Sequence, residues 1–159
     1  MSPVTRSMAV NKIFRLPHDG LVLVSDGRKA LFLKNKGDGL YPNLQVERVL
    51  EAPDNLPTRL QGTDKQGQAA MLGQRSAIEQ TDWHDLAERK FAGEVAEAVN
   101  AACLNGGVKH IIVAAPPRTL AELRTRFSDA AKQRIMAEVN KDLTKHPVYE
   151  IEQHLVASA

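Results

Sequence analysis

The sequence predicts a single α/β domain, a mixed sheet with helices packed on it. Three observations point there: short apolar runs of strand length between residues 21 and 52, a long apolar stripe at helical spacing after residue 80, and a further apolar run at 108–115. A chain of 159 residues is long enough for one real core and too short for two independent ones.

Each element has its own signal. "LVLVSDGRKALFLKN" holds two apolar runs around Asp26-Gly27, which predicts strands at 21–25 and 29–34 joined by a type I′ turn. "LQVERVLEA" alternates Leu44, Val46 and Arg48 against Gln45, Glu47 and Val49, the pattern of a third antiparallel strand. From Pro53 to Gln80 no period is evident, and structureless connections of such length are usually functional or disordered.

Thr81 reads as the cap of a long helix, with Asp82 and Asp85 in a first turn where the helix dipole favours negative charge. Trp83, Ala87, Phe91, Val95, Ala98, Val99 and Ala102 form its apolar stripe, and Asn105-Gly106-Gly107 ends it by supplying left-handed conformations. "VKHIIVAA" (108–115) follows as a buried strand, apolar on both faces. Pro116 and Pro117 stop it, and "RTLAELRTRF" is a helix with Leu120, Leu123 and Phe127 on one side. Ser128 caps a short helix, "DAAKQRIM", and "AEVNKDLT" is expected as the last strand, since Ile135, Ala137, Val139, Lys141 and Leu143 sit two apart. His146-Pro147 opens a final helix through "VYEIEQHL".

Composition excludes several classes. Cys103 is the one cysteine, so neither an intrachain disulfide nor a cysteine zinc site is available. No apolar run has the length of a signal-peptide core or of a membrane span, which gives the expectation of a cytoplasmic protein, with residues 1–15 as a flexible leader and 16–159 as the domain. Charge is uneven: residues 1–36 carry seven Lys/Arg against two acids, 37–117 seven against eleven, and 118–145 seven against four. Two basic ends around an acidic middle make either a phosphate-attracting face, if they meet, or an ordinary solvated surface.

Catalytic signatures are sparse. The strands expected at 21–34 carry one acid, Asp26, in a turn, and 109–114 carries none, which argues against a ribonuclease H-like two-metal nuclease. His18, His84, His110, His146 and His154 lack ligand spacing and read as isolated, partly exposed side chains. Cys103 lies on the helical stripe, as a small buried residue would. "DWHD" (82–85) has a plain reading in which Trp83 enters the core, the aspartates meet free backbone amides and His84 faces water. No metal or cofactor is expected.

Six blocks, "VLVSDGRKALFL", "PNLQVE", "PTRLQGTD", "RSAIEQTDWH", "IIVAAPPRTLAELR" and "NKDLTKHPVYEIEQHL", resemble the host attachment protein family, described as required for attachment of bacteria to host cells. The resemblance runs from Leu16 to Leu155, with "APPRTL" and "DLTKHP" its most distinctive blocks. That family is similar to the middle domain of the class I translation release factors of archaea and eukaryotes, within a bacterial and archaeal clade. The resemblance implies that fold, with ribonuclease H-like topology. In those factors a loop before the long helix carries Gly-Gly-Gln, whose glutamine positions a water against the ester of peptidyl-tRNA. The corresponding stretch here reads Lys65-Gln66-Gly67-Gln68, and Gln66 stands where glycine permits a positive φ and close approach.

Three functions follow from the resemblance. The preferred one is a non-catalytic domain that binds RNA or the ribosome, in which Arg59, Lys65 and Arg75 meet phosphates, Gly67 and Gln68 probe the ligand, and Arg118, Arg124 and Arg126 add a basic surface. The second is attachment to host cells, indirect rather than as a surface adhesin, with a protein-binding scaffold beside it. The last is a peptidyl-tRNA ester hydrolase with Gln68 as its weak catalytic candidate. Oligomeric state is open.

Overall fold

The computed structural model describes residues 16–53, 73–105 and 107–157, with the side chains of 73–82 and 156–157 left out of the description. Five strands form one mixed sheet in the order β3-β2-β1-β4-β5: β1 Leu21–Ser25, β2 Lys29–Asn35, β3 Leu44–Glu51, β4 Ile111–Ala114 and β5 Ile135–Val139. β2 is antiparallel to β1 and β3, while β4 runs parallel to both β1 and β5, so β2 alone is reversed. This is the ribonuclease H-like order that the resemblance implies.

Among the described residues four helices cover the sheet: α1 Gly73–Asn105, α2 Pro117–Arg126, α3 Asp129–Arg134 and α4 Val148–Ala157. Alternation along the strands divides the core into two halves. Leu21, Leu23, Ala30, Phe32, Ile111 and Val113 pack with Phe91, Val95 and Val99 of α1, Leu120 and Leu123 of α2 and Ala131 of α3. Val22, Val24, Leu31, Leu33, Ile112 and Ala114 pack with Leu16, Leu143 and, from α4, Ile151 and Leu155. β1 and β4 are buried along their whole length, as central strands with both faces covered must be.

Several expectations hold locally. Ser128 caps α3, its hydroxyl accepting the Ala131 N–H at 3.1 Å, Cys103 is buried, and Gly107 has a φ of +68° just after α1.

Others need correction. The β1–β2 turn is not type I′, because neither Gly27 nor Arg28 has a positive φ. The Asp26 carboxylate instead accepts the N–H groups of Arg28 and Lys29, both at 2.7 Å, and bends the chain through its side chain. The alternation in β3 breaks at Glu47: Leu33 pairs with Val46 but Phe32 with Arg48, so Glu47 is an extra residue in a β-bulge. The bulge moves Arg48 to the α1 face, where its guanidinium lies over the Phe32 ring at 5.8 Å, and puts Val49 on the same face as Val46.

α1 starts at Gly73, eight residues before the expected Thr81 (81 − 73 = 8). Asp85 is therefore mid-helix and meets no free amide, Trp83 is half-buried rather than in the core, and Ala87 is exposed. β4 is shorter than 108–115. β5 spans 135–139, not 137–144, because after Val139 the chain turns towards the second core, where Leu143 is buried. No helix among the described residues is long and apolar enough to cross a membrane.

Candidate functional site

β1, β3, β4 and β5 all end at one edge of the sheet, here the carboxyl edge, since Glu51 at the end of β3 pairs with Lys29 at the start of β2. From β1 the chain turns one way, to β2, and from β4 the other way, to β5. Open α/β sheets place ligands in the crevice at such a reversal. Four connections meet there: the Asp26–Arg28 turn, the segment leaving Pro53, the entry to α2 at Pro116, and the passage from Asn140 to Pro147.

Asp26 and Thr144 organise the edge. Thr144 is 4% exposed, and its hydroxyl lies 2.9 Å from Asp26 Oδ2 and 2.8 Å from Asp142 Oδ1. Asp142 Oδ1 also accepts the Thr144 N–H at 3.1 Å. Through this one hydroxyl the "SDG" and "DLT" blocks are joined across 118 residues of sequence. Ser25, fully buried, turns its hydroxyl to the carbonyls of Asp26 at 3.0 Å and Lys29 at 3.3 Å.

Gly27 faces α1 so closely that a Cβ there would lie 2.8 Å from Glu88 Cδ. Glu88 also lines a small polar crevice of about 100 Å³ between α1 and α2, with Asp85, Arg89, Arg118, Thr119 and Glu122. The wall is charge-alternating: Arg118 bonds Asp85, and Arg89 and Arg126 lie 3.9 and 3.3 Å from the two oxygens of Glu122. The guanidiniums are the outer members, with Arg118 65% exposed against 32% for Asp85.

Arg59, Lys65, Gly67 and Gln68 lie outside the described residues, and Arg75 is in the first turn of α1 with its side chain not described. Arg118 stands at the carboxyl edge. Arg124 faces β5, its Nε 3.0 Å from Glu138 Oε1; that hydrogen bond, and then the charge, raise its already high pKa. Arg126 leans across α2 towards Gly93 of α1. Arg118 and Arg126 thus share the wall built on Asp85 and Glu122, while Arg124 is turned away towards β5.

Sequence reasoning missed Thr144, Asp142 and Glu88, whose roles depend on contacts far apart in the chain. It also read the histidines as isolated, whereas the rings of His146 and His154 lie 4.7 Å apart and His146 Nδ1 is 2.8 Å from Glu150 Oε1. Among the described residues no three His, Cys, Asp or Glu side chains gather as a metal-holding group.

A family model for bacterial archaeo-eukaryotic release factor family 12 matches residues 19–155, which takes in all five strands and the whole carboxyl edge. The chain belongs to that family. No curated protein matches it. In this family 12 domain β3 ends beside the Asp26 turn, where the Ala52 N–H donates to the Arg28 carbonyl at 2.7 Å.

Proposed function

We propose that this family 12 domain is a non-catalytic, release-factor-like module that binds RNA or the ribosome through its carboxyl edge and the 54–72 segment. One observation carries the reading. Glu88 touches the β1–β2 turn, yet α1 begins at Gly73, so the helix from Gly73 to Glu88 extends about 22 Å outward at 1.5 Å per residue. Lys65, Gly67 and Gln68 belong to the sequence between Pro53 at the carboxyl edge and Gly73 at the start of that helix. Arg118, outermost at the base of that outward stretch, is the described cation best placed to meet a phosphate.

Co-sedimentation with ribosomes or RNA at rising salt tests the reading. Phosphate contacts weaken steeply with ionic strength, so binding at low salt that falls as salt rises is expected, with Arg118→Ala flattening the dependence. No co-sedimentation at any salt refutes it. Gln66 argues against ester chemistry, so no peptidyl-tRNA turnover is expected. Turnover that is lost in Gln68→Ala would overturn the non-catalytic part.

A second reading, an indirect role in host attachment from the cytoplasm, draws support from the "APPRTL" and "DLTKHP" blocks, both of which contribute to the carboxyl edge. A deletion strain that attaches normally removes that role. Recovery of the protein from the cell surface would instead favour a direct attachment factor.

A further inference from the structure

The stretch "HPVYEIEQH" sets His146 and His154 eight residues apart with Glu150 midway. That spacing matches no metal motif, which is why the histidines read as isolated in the sequence. The structure brings them together. His154 stands in the last turn of α4, and helical side chains lean towards the N-terminus of their helix, back over the turn that holds Glu150. His146, just ahead of the helix, meets it there: the ring centres are 4.7 Å apart, and the rings are tilted by 57° rather than stacked flat.

Glu150 decides which nitrogen of His146 is free. A carboxylate only accepts, so with Nδ1 2.8 Å from Glu150 Oε1 the neutral ring carries its hydrogen on Nδ1 and keeps a lone pair on Nε2. An imidazole held from behind by a carboxylate, with its other nitrogen open, is the usual state of a metal-ligating histidine. Two imidazoles on one tetrahedral ion, each bound at about 2.0–2.1 Å, hold their ring centres about 5 Å apart, so the observed separation needs little adjustment. Neither ring belongs to either half of the core; the His146 side chain is 35% exposed and His154 is half-buried, so an ion and its waters can reach both. Their backbone is fixed nonetheless. The His146 N–H donates to the Leu143 carbonyl at 3.2 Å, and Leu143, Ile151 and Leu155 are buried on either side. Glu152 is engaged elsewhere, accepting the Leu44 N–H at 2.8 Å.

We propose that His146 and His154 form a two-imidazole site for a divalent transition-metal ion of the zinc or copper class, with Glu150 orienting His146 and water filling the remaining positions. Imidazole suits such ions, whereas magnesium and calcium take oxygen ligands. Two protein ligands without a third make the site open and the ion exchangeable. A bound ion would join the passage from Asn140 to Pro147 to the far end of α4, two residues from the Thr144 that organises the carboxyl edge.

Isothermal titration calorimetry of the full chain with Zn²⁺ in a non-coordinating buffer tests this. One ion per chain is expected, and none when Mg²⁺ replaces Zn²⁺. Glu150→Gln should weaken binding about tenfold, as loss of the group behind a ligand does, and His146→Ala or His154→Ala about a hundredfold, since each removes a ligand itself. Circular dichroism checks that the three variants remain folded. A second measurement needs no variant: in nitrogen-detected NMR of the wild-type rings, Zn²⁺ should shift His146 and His154 and leave His18, His84 and His110 in place. No saturable Zn²⁺ binding, affinity unchanged in His154→Ala, or shifts centred on the other histidines overturns the proposal.

Discussion

Thr144, itself buried, has one hydroxyl hydrogen and two carboxylates within 3 Å, half-buried Asp26 and exposed Asp142. Replacing it with valine keeps the shape and removes the donor, leaving both acids without the hydroxyl between them. Thr144→Val should cost about 0.5–1.5 kcal/mol in denaturant unfolding, the range for losing a hydrogen bond whose partners still reach water. Asn35 is more demanding. Its loss leaves two carbonyls and two N–H groups unpaired, so Asn35→Ala should destabilise by about 3 kcal/mol or more. Asp38 adds a pH dependence whose sign is fixed by its lowered pKa. Its contribution is fully present above the unfolded value of 3.8 and is lost as pH falls through the lower folded value. A carbon-detected NMR titration should find the Asp38 midpoint below 3.8, and Asp38→Asn should remove this acid-side loss. The Asn35–Leu16 and Thr144–Asp26 pairings are not written in local sequence, because they join residues 19 and 118 positions apart, whereas the N–H bonds from Tyr41 and then Leu40 that hold the Asp38 carboxyl low are local.

At the scale of elements, both edge strands carry an irregularity. β3 has its bulge at Glu47, and β5 shifts register where Ile111 pairs with Ile135 and Ile112 with Ala137, leaving Met136 over. Bulges twist an edge away from ladder pairing, which helps an open sheet resist edge-to-edge association. The α2–α3 corner is held from α1: Asn100 accepts the Ser128 N–H at 2.9 Å and donates to the Arg126 carbonyl at 3.2 Å, while Ser128 caps α3. Ser128→Ala should cost about 1 kcal/mol, read as a lower midpoint of urea unfolding with the slope unchanged. That cap was legible because Ser128 and the helix it starts are neighbours in sequence. The bulge was not, since an extra residue declares itself only against a partner strand.

For the whole molecule, the arrangement is a two-faced sheet with a helix that overruns it. Among the described side chains of α1, full burial begins at Phe91; Trp83 is half-buried and Leu86 is 55% exposed. Hydrogen exchange should therefore be faster at the amides of Trp83–Ala87 than at those of Phe91–Val99, and uniform protection along that stretch would contradict the overhang. Exposed ion pairs such as Arg118–Asp85 contribute little to stability. Their larger consequence is that the face carrying Arg89, Arg118 and Arg126 is charge-balanced by Asp85, Glu88 and Glu122.

The sequence by itself determined the approximate places of β1 to β4, the Phe91, Val95 and Val99 part of the α1 stripe, the Ser128 cap, the α/β class and the likeness to the release-factor clade. All of these follow from periodicity, turn chemistry and blocks of neighbouring residues, which report local burial directly. Only the tertiary structure decided the start of α1, the parity of β3, the extent of β5, the meeting of Asp26 with Thr144 and the carboxylate partners of the arginines. Those depend on register and on packing between segments up to 118 residues apart, and a one-dimensional pattern has no term for either.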